Sequence, residues 1–141
     1  MSVSDQDVID QVLEIGRMAG KEGTIEEQYL LFNVEVEGIS CEIQVMPSGE
    51  TASGKNIIMF AREIVVLPDE KLRELPKEFF IDLLIHDSYK DHSHLCIIGE
   101  EERIILARSS QILETMEVEE FKSKLLDVAT TSLEVEQMLG I

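Results

Sequence analysis

Two alternating stretches on either side of Gly38 limit this chain more than any other feature of it. In "LLFNVEVEGISCEIQV", residues 30–45, Leu30, Phe32, Val34 and Val36 alternate with Leu31, Asn33, Glu35 and Glu37. Beyond Gly38, Cys41, Ile43 and Val45 alternate with Glu42 and Gln44. A period of two puts each set on its own face of a strand. The glycine between them supplies turn geometry, so the segment predicts an antiparallel hairpin with one apolar and one polar face. An apolar sheet face must be covered by another layer, and the rest of the chain has to provide it.

Helices on both sides of the hairpin can do so. Residues 5–19 read as a helix, with Ser4 and Asp7 at its start and Val8, Val12, Ile15 and Ala19 on one face, until Gly20 and Gly23 break it. The turn formers "PSGETASGK" (47–55) lead into "NIIMFAREIVVLP", a third strand ended by Pro68. Pro76 then suits a helix start, and "KEFFIDLLIH" continues as a helix that is apolar nearly all round. "HLCIIGEEERIILARS" reads as a second hairpin, two short apolar runs around Gly99–Glu102. A last helix runs from about 116 to 139, where Val118, Phe121, Leu125, Val128, Ser132, Val135 and Leu139 keep a three-four spacing. Glu117, Glu119 and Glu120 fill its first turn, where the helix dipole favours acid. The expectation is an α+β fold ordered helix, three antiparallel strands, helix, two-strand hairpin, C-terminal helix, with the helices on one antiparallel sheet. It occupies a single domain over residues 1–141.

Charge narrows the partners. The chain carries 29 acidic and 12 basic residues, a net charge of −17. Residues 1–50 hold 11 acids against two bases and residues 96–141 hold ten against four, so the acid is not confined to a tail. Such a surface repels nucleic acid and anionic membrane and favours solubility or a basic partner. The N-terminal "MSVSDQDVIDQ" lacks the basic and apolar regions of a secretory signal, and no apolar run reaches the length of a membrane span. Cys41 and Cys96 stand singly in apolar segments, as small buried residues do in a reducing cytoplasm.

Two stretches invite a chemical reading. "GETASGKN", residues 49–56, places Gly49, Gly54 and Lys55 as in a phosphate-binding loop, but Asn56 stands where a hydroxyl would hold magnesium. A working loop of that kind joins a strand to a helix; here both flanks read as strands, so a hairpin loop is expected. "HDSYKDHSH" gathers His86, His92 and His94 with Asp87 and Asp91, which could form a surface metal site or a polar connection after a helix end. No nucleophile–base set and no G-x-S-x-G is present. The reading is a non-enzyme with no cofactor and no metal. An enzyme using the His86–His94 loop or the 49–56 loop is the alternative, and an acidic mimic of nucleic acid a further one.

The C-terminal half carries a resemblance. "FFIDLLIHDSYKDHSHLCIIGEEERIILARSSQILETMEVEEFKSKLLDVATTSLEVEQML" resembles the YbjN-like and class I type III secretion chaperone superfamily over about residues 76–139. In that family a hydrophobic helix, a polar loop, a strand, an acidic turn and a second strand lead to a long last helix. Here Gly99–Arg103, "GEEER", takes the place of the turn, and "LETMEVEEFKSKLLDVA" that of the helix entry. The resemblance implies a small acidic cytoplasmic protein, usually a homodimer, chaperone-like or regulatory, that binds an extended segment of another protein and catalyses nothing. The surplus apolar helix, with Phe79, Phe80, Ile81, Leu83, Leu84 and Ile85, supplies the candidate dimer interface at Phe79, Phe80, Leu83 and Leu84. Glu35, Glu37 and Glu42 on the strands suit a basic segment.

Overall fold

A computed structural model describes residues 4–90 and 93–141. Helix α1 (Asp5–Met18) begins at Ser4, whose hydroxyl accepts from the Asp7 amide at 3.2 Å. Six strands follow, β1 (Thr24–Ile25), β2 (Leu30–Val36), β3 (Ile39–Glu50), β4 (Asn56–Pro68), β5 (His94–Ile98) and β6 (Glu102–Ile112). Between β4 and β5 lie the short α2 (Asp69–Arg73) and α3 (Lys77–Ser88); after β6 comes α4 (Val118–Leu139). The strands form one antiparallel sheet in the order β1-β2-β3-β4-β6-β5. The α+β class and the order of the main elements agree with the sequence reading.

The β2–β3 turn is made by Glu37 and Gly38, both with positive φ (50° and 82°). That pair has the twist which lets a two-residue turn join right-twisted strands without splaying them. Directly opposed residues of antiparallel neighbours share a face. The register pairs Phe32 with Ile43, Val45 with Phe60, and Phe60 with Ser109, which assigns one inner row across four strands. Helix α4 lies over that row. The buried Phe121 ring meets Phe32 edge-on at 5.1 Å and Phe60 at 5.6 Å, and Leu125, Val128 and Val135 continue the contact down the helix. Val8, Ile9 and Val12 of α1 enter the same cluster. Gly16 and Gly23 complete it by having no side chain: a Cβ on either would stand 2.5 or 2.8 Å from the Phe32 ring.

Several details differ from the sequence reading. The sheet has six strands rather than five, because the two-residue β1 pairs with Leu30 and Leu31. Residues 47–50, read as loop, extend β3, and an irregularity between Pro47 and Glu50 absorbs the turn formers into the ladder. The second hairpin is not two short runs. Strand β6 has 11 residues and pairs along nearly all of β4. A bulge between Glu63 and Val65 restores Val65 and Leu67 to the inner face after Arg62, and α2 then turns the chain before Pro76.

The other face differs in kind. Asn33, Glu35 and Glu42 make it polar on β2 and β3, as the alternation implies. On β4 and β6 it carries an apolar stripe, with Met59 opposite Met46 of β3 and Ile57 opposite Ile112. Ala61 and Leu106 are buried there without belonging to the cluster that the helices close.

The ring cluster sets two expected outcomes in urea unfolding followed by circular dichroism. Phe121→Ala lowers stability by about 3–5 kcal/mol, the usual cost of deleting a buried aromatic ring. Gly16→Ala lowers it by about 1–3 kcal/mol through overpacking against Phe32, whereas an exposed helix glycine replaced by alanine would gain stability.

Candidate functional site

Helix α3 is the element with the most apolar surface left over. Pro76 stands at its N-cap, and its last turn ends at His86 and Ser88. Leu83 is its buried residue, set with Phe80 and Leu84 around a 180 Å³ cleft floored by Leu95, Ile97 and Ile105. Phe79 borders a second cleft of 380 Å³ with Val65, Leu67, Leu75 and Met138. The two rings pack edge to face at 5.2 Å and are half-buried. Leu84, Ile85 and Ile81 are 70%, 50% and 42% exposed. The four candidate interface residues therefore divide. Leu83 belongs to this chain's core, Leu84 lies in solvent, and Phe79 and Phe80 stand between. Within one chain the sheet hides one stripe of α3, as for any helix lying on a sheet.

Polar ties hold α3 to α4. The Glu134 carboxylate lies 3.1 Å from His86 Nε2 and accepts from Lys90 Nζ at 3.0 Å. Burial alone would raise the Glu134 pKa, but the hydrogen bonds from Lys90 and His86 hold it below the ordinary carboxylate range. At the C-terminal end of α3, Asp87 accepts from the Leu95 amide at 2.7 Å and lies 3.6 Å from His94 Nδ1. The histidine segment thus divides between two ties: His86 goes to Glu134 and His94 to Asp87. His92 and Asp91 lie outside the described residues. Among the described residues no three His, Cys, Asp or Glu converge as metal ligands.

The 49–56 stretch is a hairpin connection. Thr51 N–H donates to the Lys55 carbonyl at 2.8 Å, Gly54 N–H to the Thr51 carbonyl at 2.9 Å, and Lys55 N–H to Thr51 Oγ1 at 3.1 Å. Amides that would cradle a phosphate are spent on closing the turn, and a strand follows where a helix N-terminus would be needed. Asn56 is buried, and its backbone and side-chain amides both donate to Glu114, at 2.9 and 2.8 Å. Those hydrogen bonds hold the Glu114 carboxyl below its ordinary range.

Sequence reasoning missed one polar group inside the sheet–helix interface. Arg62 of β4 donates to Ser132 at 3.0 Å and to Glu136 at 2.6 Å on α4. Its signal was present, an arginine at an inner position of an otherwise apolar alternation. Burial pushes both the Cys41 and the Cys96 thiol up, so neither is a ready thiolate near neutral pH. Cys41 is buried as expected; Cys96 is half-buried.

The free edges of the sheet complete the geometry. β1 covers only Leu30 and Leu31 of β2, which leaves Phe32–Val36 without a strand neighbour on that side among the described residues. At the opposite edge stands β5, with Ile97 and Ile98 exposed.

Similar architectures exist among solved structures. *Escherichia coli* YbjN, described as a putative transcription regulator, superposes with a TM-score of 0.61 at 13% identity over 99% of this chain and 96% of its own. The *Yersinia pestis* type III secretion chaperone SycH, solved in complex with a stable fragment of YscM2, gives 0.56 at 11% identity over 90% and 98%. A chain of the HopA1–SchA chaperone–effector complex gives 0.52 at 11% identity over 96% and 98%. This chain has the YbjN-like, type III secretion chaperone-like fold. At such identities the likeness is one of fold, and it spans the helix–sheet–helix frame from end to end. No protein-family model and no curated protein matches the sequence.

A pH test follows from the Asn56–Glu114 tie. Because the folded pKa of Glu114 is depressed, its contribution is complete above the unfolded value and is lost as pH falls through the folded one. Urea midpoints measured from pH 6 down to pH 3 are expected to fall further for the native chain than for Glu114→Gln, which lacks that ionisation.

Proposed function

We propose that this chain is a non-enzymatic protein-binding module, chaperone-like or regulatory, that works in the cytoplasm as a homodimer and holds an extended segment of a partner protein. The observation that carries the reading is the apolar surface of α3 and β5. Leu84, Ile85 and Ile97 are exposed on these two elements beside two open clefts, and exposed apolar surface of that kind marks an interaction site. Knobs and clefts lie on the same elements, so a two-fold contact satisfies both copies at once. Burying Leu84 alone contributes on the order of 1–2 kcal/mol per chain.

The partner segment belongs at the other edge. An added strand beside Phe32–Val36 gains main-chain hydrogen bonds that β1 is too short to make. Glu35 and Glu37 flank that edge and favour basic side chains in the segment. Arg62, His86, Asp87, His94, Glu114 and Glu134 are engaged in structural ties, which favours binding over catalysis. The solved relatives support the same reading: SycH was crystallised with a fragment of YscM2, and SchA belongs to a complex with HopA1. No described helix is long and apolar enough to cross a membrane.

Light scattering tests the dimer. The native chain is expected at twice 16.0 kDa at high micromolar concentration, and Leu84→Asp at one chain's mass with unchanged circular dichroism. Leu83→Asp is expected to unfold instead, since Leu83 is buried within the chain. A single-chain mass for the native protein would remove the dimer.

A further inference from the structure

The helices cover one face of the sheet, and the opposite face carries an apolar stripe that none of them closes. Along β4 and β6 the register sets Ile57 beside Ile112, Met59 beside Ser110, Leu106 beside Glu63, and Ile104 beside Val66 on that outer face. Ile57, Met59, Ile104 and Ile112 are half-buried, and Val66 is 46% exposed. None of these side chains is part of the core cluster or of the residues packed against it. Acid stands beside the stripe, within it and at its end: Glu42 on β3, Glu63 on β4 opposite Leu106, and Glu102 at the start of β6. We propose that this face is the docking surface for an amphipathic helix of a partner protein, with basic residues beside its apolar stripe.

The shape of the surface favours a helix over a strand. β3, β4 and β6 each have a strand on both sides, so their backbone groups are already paired in the plane of the sheet. A strand laid flat on them would leave its own N–H and C=O groups without partners, whereas a helix satisfies them internally. Dimensions agree. The nine steps from Ile57 to Val66 span roughly 30 Å at about 3.3 Å per residue, the length of a helix of roughly 20 residues, and two neighbouring strands are about as wide as one helix.

Charge selects the flanks. A second copy of this chain would bring Glu42, Glu63 and Glu102 against their own kind in a molecule of net charge −17, whereas Lys and Arg beside an apolar stripe meet them favourably. Arg108 is the exception. It stands exposed on this face opposite Ala61 and calls for one acidic residue in the partner's stripe.

This inference extends the protein-binding reading to a surface separate from α3 and from the β2 edge, and one titration separates them. A fluorescein-labelled 18-residue Leu/Lys peptide with helical spacing is titrated with the full-length chain, followed by anisotropy. The native protein is expected to bind it saturably, and a Leu/Glu peptide of the same pattern not at all. Met59→Glu and Val66→Glu are each expected to weaken binding at least tenfold, although each adds a negative charge. Attraction by net charge alone would be strengthened by those substitutions, so unchanged or tighter binding overturns the proposal, as does no binding to the native chain. Val66 is already solvent-facing, so its variant decides the matter if Met59→Glu fails to fold. Leu84→Asp is expected to bind the peptide as the native chain does; loss of binding there would assign the site to α3 and overturn the proposal while leaving the dimer reading intact.

Discussion

The structure depends on three phenylalanine rings from three separate elements. Phe121 on α4 lies against Phe32 on β2 and Phe60 on β4, and all three are removed from water. Their burial contributes roughly 1.5–3 kcal/mol each, with a further increment for edge-to-face geometry. More important is where the cluster sits. It fixes α4 across the middle strands, and Gly16 and Gly23 let α1 and the following loop close on the same ring. Every other helix then has to share the face that α4 has taken, and α3 receives only its margin, over β5.

From that arrangement come both unsatisfied surfaces. Helix α3 meets the sheet through Leu83 and parts of Phe79 and Phe80, and is steadied by the Glu134 carboxylate on α4 instead of by deep packing. Its outward residues remain in solvent. Among the described residues the opposite sheet face receives no helix, yet β4 and β6 put isoleucine, methionine and valine there. A net charge of −17 surrounds these patches and narrows what can dock. The partly buried Arg62–Glu136 pair adds little net stability of its own, but removing one partner would leave the other without its counter-charge.

Much of this was legible in the residues. The alternation through Leu30–Val45 identified the inner face of β2 and β3, and the three-four spacing of α4 named Phe121, Leu125, Val128 and Val135, all of them buried. The strand–strand flanks of "GETASGKN" were enough to read a hairpin. What could not be read has physical reasons. β1 is two residues long and exists only because β2 offers it an edge. β4 is apolar on both faces, so periodicity gave no sign that one of them lacks a cover. The bulge at Glu63–Val65 shifts the pattern by one residue, which a strict period of two cannot follow. Arg62 looked like an interruption until α4 supplied Ser132 and Glu136. On α3 the apolar count was right, but which residues faced inward depended on how far α4 leaves room, and that is a property of the whole fold.

The central claim is that one sheet face is closed by helices and the other is bare. Hydroxyl-radical footprinting of the isolated chain, read residue by residue by mass spectrometry, tests it most directly. The account predicts rapid modification of Met59, Val66 and Ile104 and protection of Phe32, Phe60 and Phe121 under the same dose. Protection of Met59, Val66 and Ile104 to the level of those three rings would contradict it.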